Sequence, residues 1–377
     1  MRFAVLLMAS VLLLLAATPS AEAARRQVPH GFYGVMWDGA PTRAPESLQT
    51  EQWDVMARSG VESVRTPFSW ARTQPADGQV PNFAGTDRLV ALASARRIRL
   101  LPIVYDTPRW AARDDHPASP PANPQTYAAY LQALVVRYGP SGTFWQEHPE
   151  LPYRPLREWQ IWNEPHLDAY WHVPGDDQTV WPREYVALLQ EAKRAIESVD
   201  PGATIVLAAL ADASWKMLTQ LYRAGTRGAF DVAAINIFTS RPGFVMAASR
   251  LVRRVMRREH DARKPIWVTE TTFPAGKGRV PRPRLSWQQR WSTTDRGMAS
   301  RLRTLYRLGV KNRRRLRLAR IYWYTWASDY AGRDDLFDYA GLVDFGDSFS
   351  RQPALRAYAA SARRYQGCRK TLAGTCR

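Results

Sequence analysis

Two glutamates that end apolar stretches of the chain could act together as a catalytic pair. Glu164 ends the run WQIWNEP, and Glu270 lies in IWVTETTF, 106 residues further along the chain. Two carboxyl groups that flank a bound sugar can hydrolyse its glycosidic bond with retention, one as acid/base and one as nucleophile, when they lie about 5 to 5.5 Å apart. We therefore predict that Glu164 and Glu270 are the catalytic residues.

The two carboxyl groups should differ in protonation. Glu164 lies beside Trp162 and Pro165 in an aromatic-rich stretch, and burial there favours its protonated form. Glu270 should stay ionised with the help of a positive partner such as Arg65. Two neighbouring carboxyl groups also separate each other's titrations, because one charge opposes the other.

The elements that must position this pair are strand-like segments that alternate with helix-like segments. Such alternation implies parallel crossover units, and eight units predict an α/β fold, a single (β/α)8 TIM barrel. A doubly wound open sheet is the alternative, but its glycine-rich first turn is missing, since the first segment reads GFYGVMW. The predicted strands lie within residues 31–37, 61–70, 99–108, 156–165, 204–211, 231–240, 265–274 and 318–326.

In such a barrel the chemistry lies at the C-terminal ends of the strands. Glu164 and Glu270 end the fourth and seventh predicted strands, which face each other across the barrel mouth. The other strand ends supply candidate sugar-binding residues. These are Trp37, Arg65, Asn163, Asn236 and Trp326.

Several of these segments resemble the retaining barrel glycosidases of clan A. WQIWNEP is similar to their acid/base motif, and IWVTETTF is similar to their nucleophile segment. Arg65 in VESVRTPFSW matches the arginine of their second strand, and Trp326 or Trp323 matches the tryptophan under their sugar site. The stretch AGLVDFGDSFSRQPALRAY resembles the closing element of cellulase-like and β-xylosidase-like members. The resemblance implies that Asn163 contacts the 2-hydroxyl of the sugar.

One segment departs from that family pattern. These enzymes usually carry His-x-Tyr on strand six, whose tyrosine hydrogen-bonds the nucleophile, whereas this chain reads Asn236-Ile237-Phe238. Phe238 cannot donate that bond. Either Asn236 or Tyr324 substitutes, or catalysis is weakened. A non-catalytic barrel that binds carbohydrate or cell wall is therefore the alternative function.

Charge and histidine patterns bear on partners and cofactors. The net charge of +19 favours polyanions, and an oligo- or polysaccharide substrate with acidic groups is one of them. Specific nucleic-acid binding is not predicted, because no recognition module is visible, and solvated arginine-rich helix faces are the simpler interpretation. The six histidines form no HExxH or HxH pattern, so we predict no metal and no cofactor. The oligomeric state stays open.

The two ends of the chain predict its compartment. Residues 1–23 read as a signal peptide with an apolar run over 3–17 and a small-x-small cleavage site, with an uncleaved anchor as the alternative. The mature protein would then be secreted, without a transmembrane anchor after cleavage. The predicted domain covers 24–366. In the tail, 367–377, Cys368 and Cys376 could close a short disulfide loop in an oxidising compartment.

Overall fold

Eight short parallel strands form the centre of the molecule. The computed structural model describes residues 25–280, 288–329, 335–345 and 350–367. The strands lie side by side in the order β5-β4-β3-β2-β1-β8-β7-β6. Their bounds are β1 Tyr33–Met36, β2 Ser63–Ser69, β3 Arg99–Tyr105, β4 Glu158–Ile161, β5 Thr204–Val206, β6 Ala233–Asn236, β7 Ile266–Thr271 and β8 Leu318–Trp323.

The sheet closes on itself. Strand β1 pairs in parallel with both β2 and β8. Isolated parallel bridges join Val206 to Val232 and Leu210 to Ile235, between β5 and β6. This confirms the predicted (β/α)8 barrel and excludes the open sheet, and each predicted strand segment contains one of the eight strands.

Helices surround the barrel. Asn123 caps α4 by accepting a hydrogen bond from the backbone N–H of Gln125 at 2.9 Å, and Pro124 occupies the first helical position, as the sequence predicts. The helices are α1 Glu46–Arg58, α2 Trp70–Thr73, α3 Ala84–Ala95, α4 Pro124–Tyr138, α5 Thr143–Glu147, α6 Trp181–Val199, α7 Ser214–Arg223, α8 Pro242–Arg258, α9 Gln288–Trp291, α10 Asp295–Leu316 and α11 Pro353–Gln366.

Within the described ranges, we find no helix with the length and apolar character needed to cross a membrane.

A small second sheet follows the barrel and was not predicted. It consists of β9 Ala327–Asp329, β10 Val343–Phe345 and β11 Ser350–Arg351. Between β9 and β10, a 3-10 helix over Leu336–Tyr339 lies against the ends of β7 and β8, where Trp323 Nε1 donates to the Ala340 carbonyl at 2.9 Å. This segment therefore adds a wall to the barrel mouth.

The apolar core has two layers. The larger layer lies between strands and helices and holds fully buried rings such as Trp53, Tyr127 and Trp159. Burying each large apolar side chain stabilises the fold by about 1.5 to 3 kcal/mol. The smaller layer fills the barrel interior. Its members are Leu101, Val206, Ala209, Val232, Ala234, Trp267 and Tyr322.

A buried ion pair closes the N-terminal end of the barrel. Arg320 Nη1 lies 2.6 Å from Glu158 Oε2 and 3.1 Å from the Tyr322 hydroxyl. The Arg320 guanidinium also stacks 3.8 Å from the centroid of the Trp267 ring. Because its charge is paired and hydrogen-bonded, burying it here is tolerable. The open end of the barrel is therefore the C-terminal one.

Positive charge is concentrated at the end opposite the mouth. Helices of a (β/α)8 barrel run antiparallel to its strands, so their C-terminal turns lie at the N-terminal ends of the strands. Helix α8 contains no acidic residue, and α10 contains only Asp295. We call this surface the basic face. Its exposed arginines include Arg257, Arg258, Arg314, Arg315, Arg363 and Arg364.

Two predictions fall outside the described residues. The signal peptide at 1–23 and the pairing of Cys368 with Cys376 both belong to segments for which no structure is described. Both therefore stay predictions.

Candidate active site

A cleft of about 670 Å³ opens at the C-terminal ends of the strands. Asn163 and Glu164, which follow β4, line it together with Glu270 from β7. Tyr105 at the end of β3 and Asp38 after β1 lie on the same wall. The two glutamates predicted to form a pair therefore face one hollow.

Left-handed backbone after β4 brings Asn163 and Glu164 to the mouth. Trp162 has φ of 69° and Glu164 has φ of 42°, a conformation that costs a side-chain-bearing residue about 1 to 2 kcal/mol. The Trp162 ring is buried in the outer core, where its Nε1 donates to the Tyr170 carbonyl at 2.8 Å. The Glu164 N–H donates to the Ala209 carbonyl at 3.0 Å and holds this turn in place. Strain of this kind is typical of functional sites.

A bulge in β7 brings Glu270 to the mouth. Ile235 of β6 pairs with Val268, whereas the next residue, Asn236, pairs with Glu270, so β7 contains one extra residue. Thr269 points into the barrel, where it bonds Asn236, and strict alternation would turn Glu270 outward. Bulges re-aim side chains in this way beside active sites.

Arg65 organises the floor beneath the cleft. Its fully buried guanidinium forms an ion pair with Glu270, and it donates hydrogen bonds from Nε to Gln160 Oε1 at 2.7 Å and from Nη2 to Asn163 Oδ1 at 2.8 Å. Because Oδ1 of Asn163 faces Arg65, the amide N–H groups of Asn163 remain for a ligand. Arg65 thus orients both a carboxylate and a donor.

Asn236 connects the two carboxyl groups. Its Nδ2 donates to Glu164 Oε1 at 2.7 Å, and its Oδ1 accepts from the Thr269 hydroxyl at 2.8 Å. Burial raises the pKa of Glu270, and a hydrogen bond from Asn236 opposes part of that rise. Asn236 is fully buried, so its role is to position the pair.

The two carboxyl groups have different surroundings, and these decide which of them holds a proton. Burial and, to a lesser extent, the charge of Glu270 raise the pKa of Glu164 to about 8, against the opposing effects of a hydrogen bond from Asn236 and the charge of Arg65. Burial also raises the pKa of Glu270, with the Arg65 charge and hydrogen bond opposing it. Only Glu270 touches the guanidinium, so the proton of the pair resides on Glu164. Arg65 is the cationic partner that the sequence predicts for Glu270. Its effect on the pKa of Glu270 is smaller than the effect of burial, so that pKa is raised above its ordinary value.

Two predicted sugar-binding residues do not reach the cleft. Trp37 and Trp326 are fully buried and belong to the outer core. The Trp37 ring packs edge-on against Trp53 with centroids 6.0 Å apart, and Trp326 Nε1 donates to Gln52 Oε1 at 3.1 Å. The prediction that these indoles bind sugar is wrong, because both rings turn toward the helices. Trp323, the alternative to Trp326, is fully buried as well.

Of the other predicted sugar-binding residues, one lines the cleft and two are buried beneath it. Asn163 lines the cleft, as predicted. Arg65 and Asn236 lie beneath it with no exposed surface. Their side chains form hydrogen bonds with the carboxyl groups of Glu270 and Glu164. The prediction that these two contact sugar directly is therefore replaced by a positioning role.

Other aromatic rings form the wall of the cleft. Phe238 and Phe337 lie 4.8 Å apart between ring centroids, and Phe337 and Tyr324 lie 5.6 Å apart. Tyr105 and Tyr170 line the cleft beside them. Sequence reasoning missed Tyr170 and Phe337 as lining residues. Only the position of Tyr170, six residues after Glu164, could have signalled its place.

Three side chains of metal-binding type cluster outside the cleft. Ligand atoms of His116, Asp168 and His172 lie within 4.8 Å of one another. His172 Nδ1 lies 2.8 Å from Asp168 Oδ1, and His116 Nδ1 accepts from the Ala118 N–H at 3.1 Å. The two imidazole rings stack with centroids 3.9 Å apart. These contacts join the loops after β3 and β4, so we assign the cluster to loop packing.

Solved structures with a similar fold are glycoside hydrolases. A family 39 glycoside hydrolase from Bacteroides cellulosilyticus WH2 has a TM-score of 0.63 and 18% identity, over 90% of this chain and 64% of that chain. A monomeric beta-xylosidase from Caulobacter crescentus CB15 has a TM-score of 0.61 and 19% identity, over 89% of this chain and 69% of that one. A glucosidase from Croceicoccus marinus has a TM-score of 0.65 and 14% identity, over 90% and 69%.

This likeness shows the shared barrel fold. This chain spans just under two thirds of the length of the Bacteroides structure. No protein-family model and no curated protein matches the chain.

Proposed function

We propose that this protein is a secreted retaining glycoside hydrolase that cleaves O-glycosidic bonds by double displacement. One observation carries the proposal: two buried carboxyl groups share one cleft and one amide, yet only Glu270 contacts a cation. This asymmetry is what separates an acid from a nucleophile in a retaining mechanism. Secretion is supported by the sequence of residues 1–23.

In the first step, Glu164 acts as the acid. Its proton passes to the glycosidic oxygen while a Glu270 carboxylate oxygen bonds to the anomeric carbon and the bond to the leaving group breaks. In the second step, the Glu164 carboxylate takes a proton from water. The oxygen of that water bonds to the anomeric carbon and releases Glu270.

The surrounding residues support these steps. Arg65 holds Glu270 in line and balances its charge before the attack. The amide N–H groups of Asn163 donate to the sugar 2-hydroxyl, an interaction that strengthens in the transition state. The rings of Tyr170, Tyr324 and Phe337 offer faces for sugar stacking in place of the predicted tryptophans. The substrate is an oligo- or polysaccharide.

A panel of 4-nitrophenyl glycosides tests the assignment. We expect Glu164→Ala and Glu270→Ala each to lower kcat/KM by about 10²-fold or more. Azide should restore Glu270→Ala and give a glycosyl azide of inverted configuration, whereas Glu164→Ala should give the retained one. Glu51→Ala, an exposed site on α1, is the matched control and should keep wild-type activity. Equal residual activity in all four proteins would remove the assignment.

A non-catalytic carbohydrate-binding barrel is the second candidate. Phe238 favours it, because a phenyl ring stands where the related enzymes place a hydrogen-bond donor to the nucleophile. The same panel decides between them. Sugar binding by calorimetry, with no hydrolysis of any substrate by the wild type, would establish the binding protein.

A further inference from the structure

The cleft has two chemically different parts. Its inner part, at the strand ends, contains all four lining carboxyl groups, of Asp38, Asp106, Glu164 and Glu270. Its outer part comes from residues 39–49 and 72–89. We call this outer part the basic arm. Among the described residues, its lining includes three arginines, Arg43, Arg72 and Arg88, and no acidic residue; of the acidic residues in the same two ranges, Glu46 pairs with Arg88 and Asp87 pairs with Arg137.

Two of these three guanidinium groups have no protein partner among the described residues. Arg88 is engaged, since its Nη1 lies 2.6 Å from Glu46 Oε2 and its Nη2 donates to the Glu46 carbonyl at 3.0 Å. Arg43 and Arg72 form neither an ion pair nor a side-chain hydrogen bond with any part of the chain that the structure describes. Both side chains are exposed at the cleft.

The neighbours of these arginines add hydrogen-bond donors. Asn82 Oδ1 accepts from the Ala84 N–H at 3.0 Å, which leaves the Nδ2 group of Asn82 facing the arm. The Thr42 hydroxyl donates to the Gly39 carbonyl at 2.7 Å. Two guanidinium groups that are unpaired among the described residues, with an amide donor beside them, match a planar anionic acceptor, which arginine binds in bidentate fashion, and the Glu46 carboxylate nearby is already paired with Arg88.

The inner part places a limit on where that anion can lie. Four carboxyl groups around the reacting sugar disfavour a further negative charge there, because like charges at close range repel. The anionic group must therefore belong to the saccharide unit next to the reacting sugar.

We propose that the basic arm binds an anionic saccharide unit beside the reacting sugar, through Arg43 and Arg72. The shared chemistry is a uronate carboxylate or a sulfate ester. The proposal rests on the function above, because it assigns a second unit of the same substrate.

The test is calorimetric binding to the Glu270→Gln variant, which cannot form the glycosyl intermediate. The probes are oligouronates of several sugars with their methyl esters, and a sulfated galactan oligosaccharide with its desulfated form. We expect at least one charged form to bind about 5- to 30-fold more tightly than its neutral partner. Added salt should reduce that preference, since the contacts are solvent-accessible. Comparing the oligouronate pair with the sulfated galactan pair identifies which anionic group is bound.

Paired substitutions locate the effect. Arg43→Gln with Arg72→Gln should lower binding of the charged probe to the level of its neutral form. Arg250→Gln with Arg254→Gln, two exposed sites on α8 with the same loss of charge, should leave the preference intact. If Glu270→Gln unfolds, the wild type is titrated in the same way.

The outcomes separate this inference from the proposed function. Equal binding of charged and neutral forms in every pair, or an equal loss in the α8 control, overturns the basic arm even if aryl glycosides are hydrolysed. A charge preference that depends on Arg43 and Arg72, in a wild type that hydrolyses nothing, supports the arm and overturns the hydrolase.

Discussion

Glu164 and Glu270 show how identical side chains acquire different chemistry from their neighbours. Both are more than nine-tenths buried, but only Glu270 contacts Arg65, while Glu164 accepts one amide hydrogen bond from Asn236. A buried carboxyl group without a cation holds its proton. In the proposed mechanism, which carboxyl group acts as the acid and which as the nucleophile therefore depends on which of them Arg65 contacts.

The pKa of Glu164 predicts the alkaline limb of activity. In the proposed mechanism Glu164 must be protonated for the first step, and its pKa of about 8 means that this form disappears as pH rises through 8. We expect kcat/KM to fall above pH 8. Glu164→Gln should show no such limb in its low residual activity on a phenyl glycoside, whose leaving group needs a proton from the acid. A pH–rate profile of both proteins checks this, and an unchanged limb in the variant would contradict it.

The same pKa predicts a cost to stability. The carboxyl pKa rises from 4.5 to about 8 on folding, so the native state binds the proton more tightly than the unfolded state does. The contribution of Glu164 to stability is complete below pH 4.5 and declines as pH rises to 8. Glu164→Gln should therefore raise Tm at pH 8.5 and change it little at pH 4.5, as circular dichroism would show. A larger gain at the acidic pH would contradict the assignment.

At the scale of elements, apolar strands could be predicted and strand ends could not. All eight strands were found, because each is a short apolar run between turn residues, and parallel strand ends converge on one face. Beyond the last residue of β8 that pairs with its neighbours, side chains no longer alternate strictly between the two faces. Trp326 was therefore predicted to contact the sugar, whereas Tyr324 is the residue that lines the cleft. The bulge that re-aims Glu270 leaves no mark in the sequence. Strands β9 to β11, of two or three residues each, are too short to show a period.

A glycine in β1 tests how the barrel interior is filled. Gly34 pairs with Tyr322 of β8, and a Cβ at position 34 would lie 2.8 Å from Cε1 of that ring. Tyr322 cannot retreat without losing its 2.6 Å bond to the Ser63 hydroxyl. We expect Gly34→Ala to destabilise the fold by about 1 to 3 kcal/mol in urea unfolding.

Gly243→Ala is the matched control for that measurement. Apart from the adjacent residues and the backbone of α8 itself, no described atom lies within 4 Å of a Cβ at position 243, the second residue of α8. The substitution should be neutral or stabilise the protein by up to about 1 kcal/mol. A similar loss of stability in both variants would show that the Tyr322 contact is not the cause.

At the scale of the whole molecule, the larger group of exposed arginines lies at the end opposite the mouth. The basic face carries exposed arginines from α8, α10 and α11 with few acidic neighbours, whereas the cleft opens at the other end of the barrel. An anionic support should therefore hold the protein by the basic face. The mouth would then point away from the support.

Adsorption to a cation-exchange bead tests that orientation. We expect bound protein to keep most of its activity toward a neutral aryl glycoside. Arg258→Glu with Arg314→Glu should lower the salt needed for elution more than Arg109→Glu with Arg241→Glu, two exposed sites near the mouth. Equal shifts for the two pairs, or an inactive bound protein, would contradict the orientation.

In the part of the chain that the structure describes, the Arg320–Glu158 pair and the rings around it fill the N-terminal end of the barrel, whereas the cleft is open at the C-terminal end. If the protein hydrolyses glycosides as proposed, the released sugar leaves through the same opening by which the next substrate enters. Each product molecule would then have to leave before the next substrate could enter, and the sugar produced would compete with fresh substrate for the same space.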